Sequence, residues 1–237
     1  MYLCTIFCSY KNGSKFLKNY IDNLLEQSIF NQIEFIFLDC DDNPAEEMLK
    51  LSRIYKNIKY IRLEKDPGLY ASWNIALKNS STEYLSNWNI DDRKSQIGIQ
   101  LLYNFLNKNQ DIDLVYGQTF ISEIANEKYL ENNMEQIFPC HPPSLESFLK
   151  NNSPHCMPMW RKKIHEKYGY FDESYKIASD SDMWIRAIIG GSKMKMLNHP
   201  VGLYYYNPEG VSTNPAKLKQ SIEEVSAMRA KYTKYIK

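Results

Sequence analysis

The chain has 237 residues, 43% of them hydrophobic and 24% charged, with a formal net charge of +1. That balance suits a soluble globular domain and excludes bulk electrostatic attraction to nucleic acid or to an anionic membrane. No apolar run approaches the ~20 residues that span a bilayer, and Met1 to Cys8 lacks the basic region of a signal peptide. The expectation is a cytoplasmic protein, or one peripheral to a membrane through a partner.

In chain order, residues 2–9 read as an apolar strand ending at Ser9-Tyr10-Lys11-Asn12-Gly13. Leu17, Ile21, Leu24 and Leu25 then keep helical spacing, with Ser14 as a candidate N-cap. Glu34 to Leu38 is a second strand, running into Asp39-Cys40-Asp41-Asp42. Pro44 opens a helix with Met48, Leu51 and Tyr55 on one face. Ile58 to Leu63 is a third strand. Gly68 starts a helix carrying Leu69, Trp73, Ala76 and Leu77, and Glu83 to Trp88 is a fourth strand. This β-α alternation predicts a mostly parallel sheet with right-handed crossovers.

Beyond Asp92 the pattern loosens. Ile97, Leu101, Leu102 and Phe105 mark a helix, and Leu114 to Ile121 a strand. Residues 123–143 read as a long loop. A strand over His155–Trp160, a helix near Arg161–Tyr168 and a helix from about Ser181 follow. Leu203 to Tyr206 should be a late strand, and Ala216 to Tyr235 a surface-lying terminal helix.

Acidic clusters punctuate this order: Asp39/Asp41/Asp42, Asp91/Asp92 and Asp180/Asp182. Each alone reads as a solvated turn or helix cap. The first two, however, fall at the carboxyl ends of parallel strands, where open α/β sheets bind ligands. Paired carboxylates there need neutralising, and a divalent cation carrying a diphosphate would do so.

The ordered set resembles family 2 glycosyltransferases with the GT-A fold. Cys8-Ser9-Tyr10-Lys11-Asn12 is similar to that family's opening strand and Thr-Tyr-Asn turn. Glu34 to Asp39 resembles the strand ending in Asp-Asp-Gly-Ser, although Cys40 interrupts the motif here. Gly68-Leu69-Tyr70-Ala71-Ser72-Trp73-Asn74 resembles Gly-Ile-Tyr-Asp-Ala-Met-Asn. Asn89-Ile90-Asp91-Asp92 resembles an Asn-Ala-Asp-Asp form of D-x-D, with Asn89 at the leading Asp. Asp180-Ser181-Asp182-Met183-Trp184-Ile185-Arg186 resembles the stretch whose first Asp is the family's catalytic base, and Val201 to Ser212 the closing Tyr-rich strand and its loop.

The resemblance implies an α/β, GT-A-type three-layer sandwich with a mostly parallel central sheet. It implies one domain over 1–237: a nucleotide-sugar half (1–95), an acceptor half (96–213) and a C-terminal helix (214–237). It implies an inverting transferase that moves a sugar from a nucleotide-diphosphate donor to a glycan or lipid-linked hydroxyl acceptor, in polysaccharide assembly. Asp180 becomes the catalytic base, with Asp182 as the fallback. Ser9, Tyr10, Asp39 or Asp41, Gly68, Asn74 and Asp91 become donor-binding residues. Asp92, supported by Asp91, becomes the holder of Mn²⁺ or Mg²⁺. No nucleic-acid partner is implied, and a homo-oligomer is left open. A sugar-phosphate nucleotidyltransferase is the alternative enzyme class, but its Gly-rich basic loop is missing, since Ser9 to Ser14 holds only Gly13. A catalytically inactive nucleotide-sugar-binding scaffold is the non-enzymatic alternative.

Five cysteines without paired spacing argue against a disulfide framework. Cys140, His141, His155 and Cys156 read as loop and core residues rather than zinc ligands. Trp73 and Trp184 read as core, Trp88 as core or site, and His165 and His199 as ordinary surface or loop histidines.

Overall fold

In a computed structural model, which describes residues 1–155 and 157–235, the chain builds one eight-stranded sheet. The strands are β1 (Cys4–Tyr10), β2 (Ile33–Asp39), β3 (Ile58–Arg62), β4 (Tyr84–Asn87), β5 (Arg93–Lys94), β6 (Leu114–Ser122), β7 (Met159–Arg161) and β8 (Met194–Tyr205). Their spatial order is β3-β2-β1-β4-β7-β6-β8-β5. β3, β2, β1 and β4 are mutually parallel, and β6 runs parallel to β8. β7 is antiparallel to both β4 and β6, and β5 to β8.

The helices are α1 (Ser14–Leu25), α2 (Glu46–Ile54), α3 (Leu69–Asn79), α4 (Gly98–Lys108), α5 (Leu145–Lys150), α6 (Lys163–Tyr168), α7 (Ser179–Ile189) and α8 (Leu218–Ala230). They cover both faces of the sheet. Every residue of β2 is buried, as two-sided coverage of a central parallel strand requires. Ile6, Phe35 and Phe37 pack with Leu24 of α1, Met48 of α2 and Leu102 of α4. Phe7, Ile36 and Leu38 face the other layer, with Trp73 of α3, Ile164 of α6, Trp184 of α7 and Met228 of α8. The result is the expected three-layer α/β sandwich.

Several elements differ from the sequence reading. α1 is capped by Gly13 with no side-chain bond, so Ser14 is its first helical residue and not the cap. The expected loop 123–143 runs on to α5, and β5 was not foreseen because two residues carry no period. β8 spans twelve residues rather than four. Its register against β6 shifts twice, around Pro200, and each irregularity breaks the alternation that marks a strand. Trp88 is core: it is 0% exposed and its indole N–H donates to the Asp92 carbonyl at 3.2 Å. His165 is buried rather than on the surface, and its Nε2 accepts from the Trp160 indole at 2.9 Å. Cys156 of the zinc grouping lies outside the described residues. His155 stacks on Phe138 at 4.2 Å, and the Cys140 thiol points at the Gly117 carbonyl. No helix among the described residues is long and apolar enough to cross a membrane.

Candidate active site

A cavity of about 980 Å³ opens beside the carboxyl ends of β1 and β4. That is at the upper end of small-molecule sites. Of the residues to which the resemblance gives a site role, Ser9, Asp91 and Asp180 line it. They are 171 positions apart at the extremes, so only the fold brings them together. Ser9 comes from the end of β1. Asp91 comes from the turn between β4 and β5.

The two adjacent carboxylates of that turn part ways. Asp91 faces the cavity, and its Oδ2 accepts from the Asn207 side-chain amide at 2.8 Å. Asp92 turns inward and is 1% exposed. Its oxygens accept from the Tyr205 backbone N–H at 3.2 Å and the Asn89 amide at 3.0 Å. Burial, and then the charge of Asp91, push its carboxyl well above the usual range. Asp92 therefore ties the turn to β8, and Asp91 is the carboxylate a cavity ligand would meet.

Five other candidates are turned away from the cavity lining. Tyr10 is 2% exposed and packs on Phe37, with ring centroids 5.3 Å apart. Asp39 is fully buried at 0% exposure. Its carboxylate accepts from the backbone N–H groups of Asp41 and Ala45, from Tyr60 and from Arg62. Asp41 accepts from the Asn12 and Asn43 N–H groups and so holds two loops together. Asn74 spans from α3 to the 171–173 segment, donating to the Phe171 carbonyl and Glu173 and accepting from the Phe171 N–H. Gly68 caps α3 at φ 95°, a left-handed conformation that favours glycine.

Two carboxylates on the wall, Asp66 and Glu209, had no role in the sequence reading. Asp66 lines the cavity, accepts from the Gly68 N–H at 2.8 Å and pairs with Lys11 at 2.6 Å. Asp-Pro-Gly signals a turn, and that local role masked the side chain.

Asp180 is the second residue of α7, two positions past its N-cap, Ala178. Its Oδ1 accepts from the Tyr70 hydroxyl at 3.1 Å and the Ser181 N–H at 2.8 Å. Its Oδ2 accepts from the Asn152 amide at 2.7 Å. Desolvation raises its carboxyl above the usual range, against the pull of these donors. A carboxylate so placed is oriented and is a stronger base than one in water. Asp182 is not among the residues that line the cavity. That side chain is occupied by Arg186 at 2.8 Å and by the Tyr232 hydroxyl at 2.6 Å.

The terminal helix α8 is part of this site, not merely a surface element. Glu224 accepts from the backbone N–H groups of Lys176, Ile177 and Ala178, at 2.8–3.1 Å. Those groups lead into α7 and end at its N-cap, Ala178, where the helix dipole favours a negative charge. Met228 of α8 is 0% exposed within the core. Ser221, Ile222, Val225, Ser226 and Arg229 are the residues of α8 that line the cavity.

Residues 4–171, well over half of the chain, match the profile of Glycosyl transferase family 2. The chain belongs to that family. An uncharacterized glycosyltransferase of Methanocaldococcus jannaschii is 27% identical over 202 residues, covering 81% of this chain and 66% of the relative. Among solved structures, S. aureus TarS 1-349 in complex with UDP-GlcNAc superposes on this family 2 chain with a TM-score of 0.74 at 16% identity, covering 96% of this chain and 66% of TarS 1-349. The mannosyltransferase PcManGT from Pyrobaculum calidifontis, in complex with GDP-Man and Mn²⁺, gives 0.70 at 12% identity over 96% of this chain and 64% of its own. Both likenesses show that the family 2 chain has the GT-A fold. The chain spans just under two thirds of each of these proteins.

Proposed function

We propose that this family 2 chain is an inverting glycosyltransferase. It moves a sugar from a nucleotide-diphosphate donor to a hydroxyl acceptor, a glycan or lipid-linked one, in polysaccharide assembly. One observation carries the reading: Asp91 and Asp180, from the two halves of the chain, open into one cavity large enough for such a donor.

In this reading Asp180 takes the proton of the acceptor hydroxyl. The acceptor oxygen bonds to the anomeric carbon while the bond to the diphosphate breaks, its electron pair leaving with the nucleotide. A single displacement inverts the anomeric centre. Tyr70 and Asn152 hold the Asp180 carboxylate in place, which is how a positioned base gains about 10²–10⁴-fold in rate. Asp66 and Ser9 are the polar groups of the donor end. Asp39 and Asp41 act indirectly, by shaping the loops around it.

Among the described residues no three His, Cys, Asp or Glu side chains gather as a metal cage. The donor set fits Mn²⁺ or Mg²⁺ in another way, because such ions are held by one or two carboxylates with substrate phosphates and water completing the shell. Asp91 supplies the carboxylate oxygen, and Asp92 braces its turn. When bound, the ion would act as a Lewis acid on the departing diphosphate.

The test is turnover of a panel of nucleotide sugars with Mn²⁺ and a hydroxyl acceptor, read as nucleotide release and as the anomeric configuration of the product. A product of inverted configuration, lost in Asp180→Asn, is expected. Retention of configuration, or full activity in that variant, overturns the reading.

A further inference from the structure

Two of the cations on the cavity wall have anionic partners. Lys11 pairs with Asp66, and Lys15 with Glu209. Arg229 differs. Its guanidinium makes no ion pair among the described residues, and its Nε is buried with no hydrogen-bond acceptor there. A guanidinium stays protonated, so the buried Nε is a charged donor that an anion in the cavity would satisfy. Burial accordingly lowers Arg229 from its ordinary value.

The position of Arg229 is fixed from several sides. Glu224 clamps the residues that lead into α7, Met228 is in the core, Lys231 donates to the Tyr175 hydroxyl and the Tyr232 hydroxyl to Asp182. These anchors dock the last turns of α8 against residues 175–182, the segment that carries Asp180. Ser9, Asp66 and Asp91 come instead from the strand ends and loops of the first half. Lys176, inside the clamped segment, also lines the cavity and makes no ion pair among the described residues. The base side of the cavity thus carries two cationic groups that make no ion pair among the described residues, one on α8 and one on the segment docked against it.

We propose that Arg229 is an acceptor-binding residue, and that the acceptor carries an oxyanion, a phosphate or carboxylate, near the hydroxyl that attacks. This rests on the reading of Asp180 as the base. A guanidinium fork recognises such a group through paired N–H donors. The same chemistry could be met by the donor's diphosphate, so the test separates the two sources.

Glycerol 1-phosphate and neutral glycerol serve as probes, titrated by ligand-observed NMR with and without saturating UDP or GDP and Mn²⁺. Wild type, Arg229→Gln and Arg229→Lys are compared. Glycerol 1-phosphate should bind wild type whether or not nucleotide is present, and glycerol should not. Arg229→Gln should weaken the phosphate probe at least tenfold, and Arg229→Lys less, with nucleotide affinity and melting temperature at wild-type values. Unchanged probe affinity in Arg229→Gln overturns the proposal. So does displacement of the probe by nucleotide, which would assign Arg229 to the donor diphosphate. Absence of any nucleotide binding would count against the glycosyltransferase reading alone, since the phosphate probe still reports on Arg229.

Discussion

The Tyr70 hydroxyl, on the first turn of α3, donates to Asp180 on the first turn of α7 at 3.1 Å. The two helices come from opposite halves of the chain and lie on the same face of the sheet, so a residue of the Gly68–Asn74 motif reaches the candidate base directly. The bond favours the ionised carboxylate, whereas desolvation favours the neutral acid. Tyr70→Phe should therefore raise the Asp180 pKa further. The acid limb of the kcat/KM profile should move to higher pH, with the alkaline plateau reduced less. An acid limb that stays in place in Tyr70→Phe would disconnect this hydroxyl from the base.

Asp180→Asn separates basicity from stability. The Asp180 pKa is raised in the folded chain above its ordinary 3.8, so ionising it costs folding free energy. That cost is absent below the unfolded pKa and grows as pH rises through the window up to the folded value. Asparagine avoids it but loses part of the match to the Tyr70, Asn152 and Ser181 donors. Sugar transfer should fall by about 10²–10⁴, while the melting temperature at neutral pH stays within a few degrees. Calorimetry showing a large loss of stability with transfer intact would make Asp180 a structural residue.

The neighbours Asp91 and Asp92 should fail in different ways. Asp91→Ala should abolish Mn²⁺-dependent nucleotide binding and leave the fold intact, because its side chain is at the cavity wall. Asp92→Ala leaves the Tyr205 N–H and the Asn89 amide unpaired in a buried site, at about 1–3 kcal/mol. Asp92→Asn should be milder. Titration calorimetry with Mn²⁺ and thermal melts on the three variants decide this, and Mn²⁺-dependent binding retained by Asp91→Ala would count against its role.

Glu224→Ala should strip the acceptor from the N–H groups of Lys176, Ile177 and Ala178. We expect a loss of about 1–3 kcal/mol and a lower kcat at nearly unchanged nucleotide affinity, since α8 supports α7 and not the strand ends. Glu224→Gln, which keeps the acceptor oxygen without the charge, should recover most of the rate. A change in nucleotide affinity with kcat preserved would place α8 at the donor instead.

The sequence by itself determined the alternation of strands and helices through β4, with it a mostly parallel sheet, and the order of the acidic motifs. Those follow from local periodicity and from turn residues, which need no distant partner to be read. The tertiary structure decided which carboxylates are available. The resemblance put the metal on Asp92 with Asp91 in support, yet Asp91 faces the cavity and Asp92 accepts from Tyr205, more than a hundred residues away. Asp39 sits at a strand end as a ligand would, but Tyr60 and Arg62 of β3 occupy it. Only the end of β8, from Leu203, was legible, because the bulges around Pro200 break the period of two before it. The part played by α8 was hidden because a carboxylate such as Glu224 reads as solvated until the N–H groups that lead into another helix are brought against it.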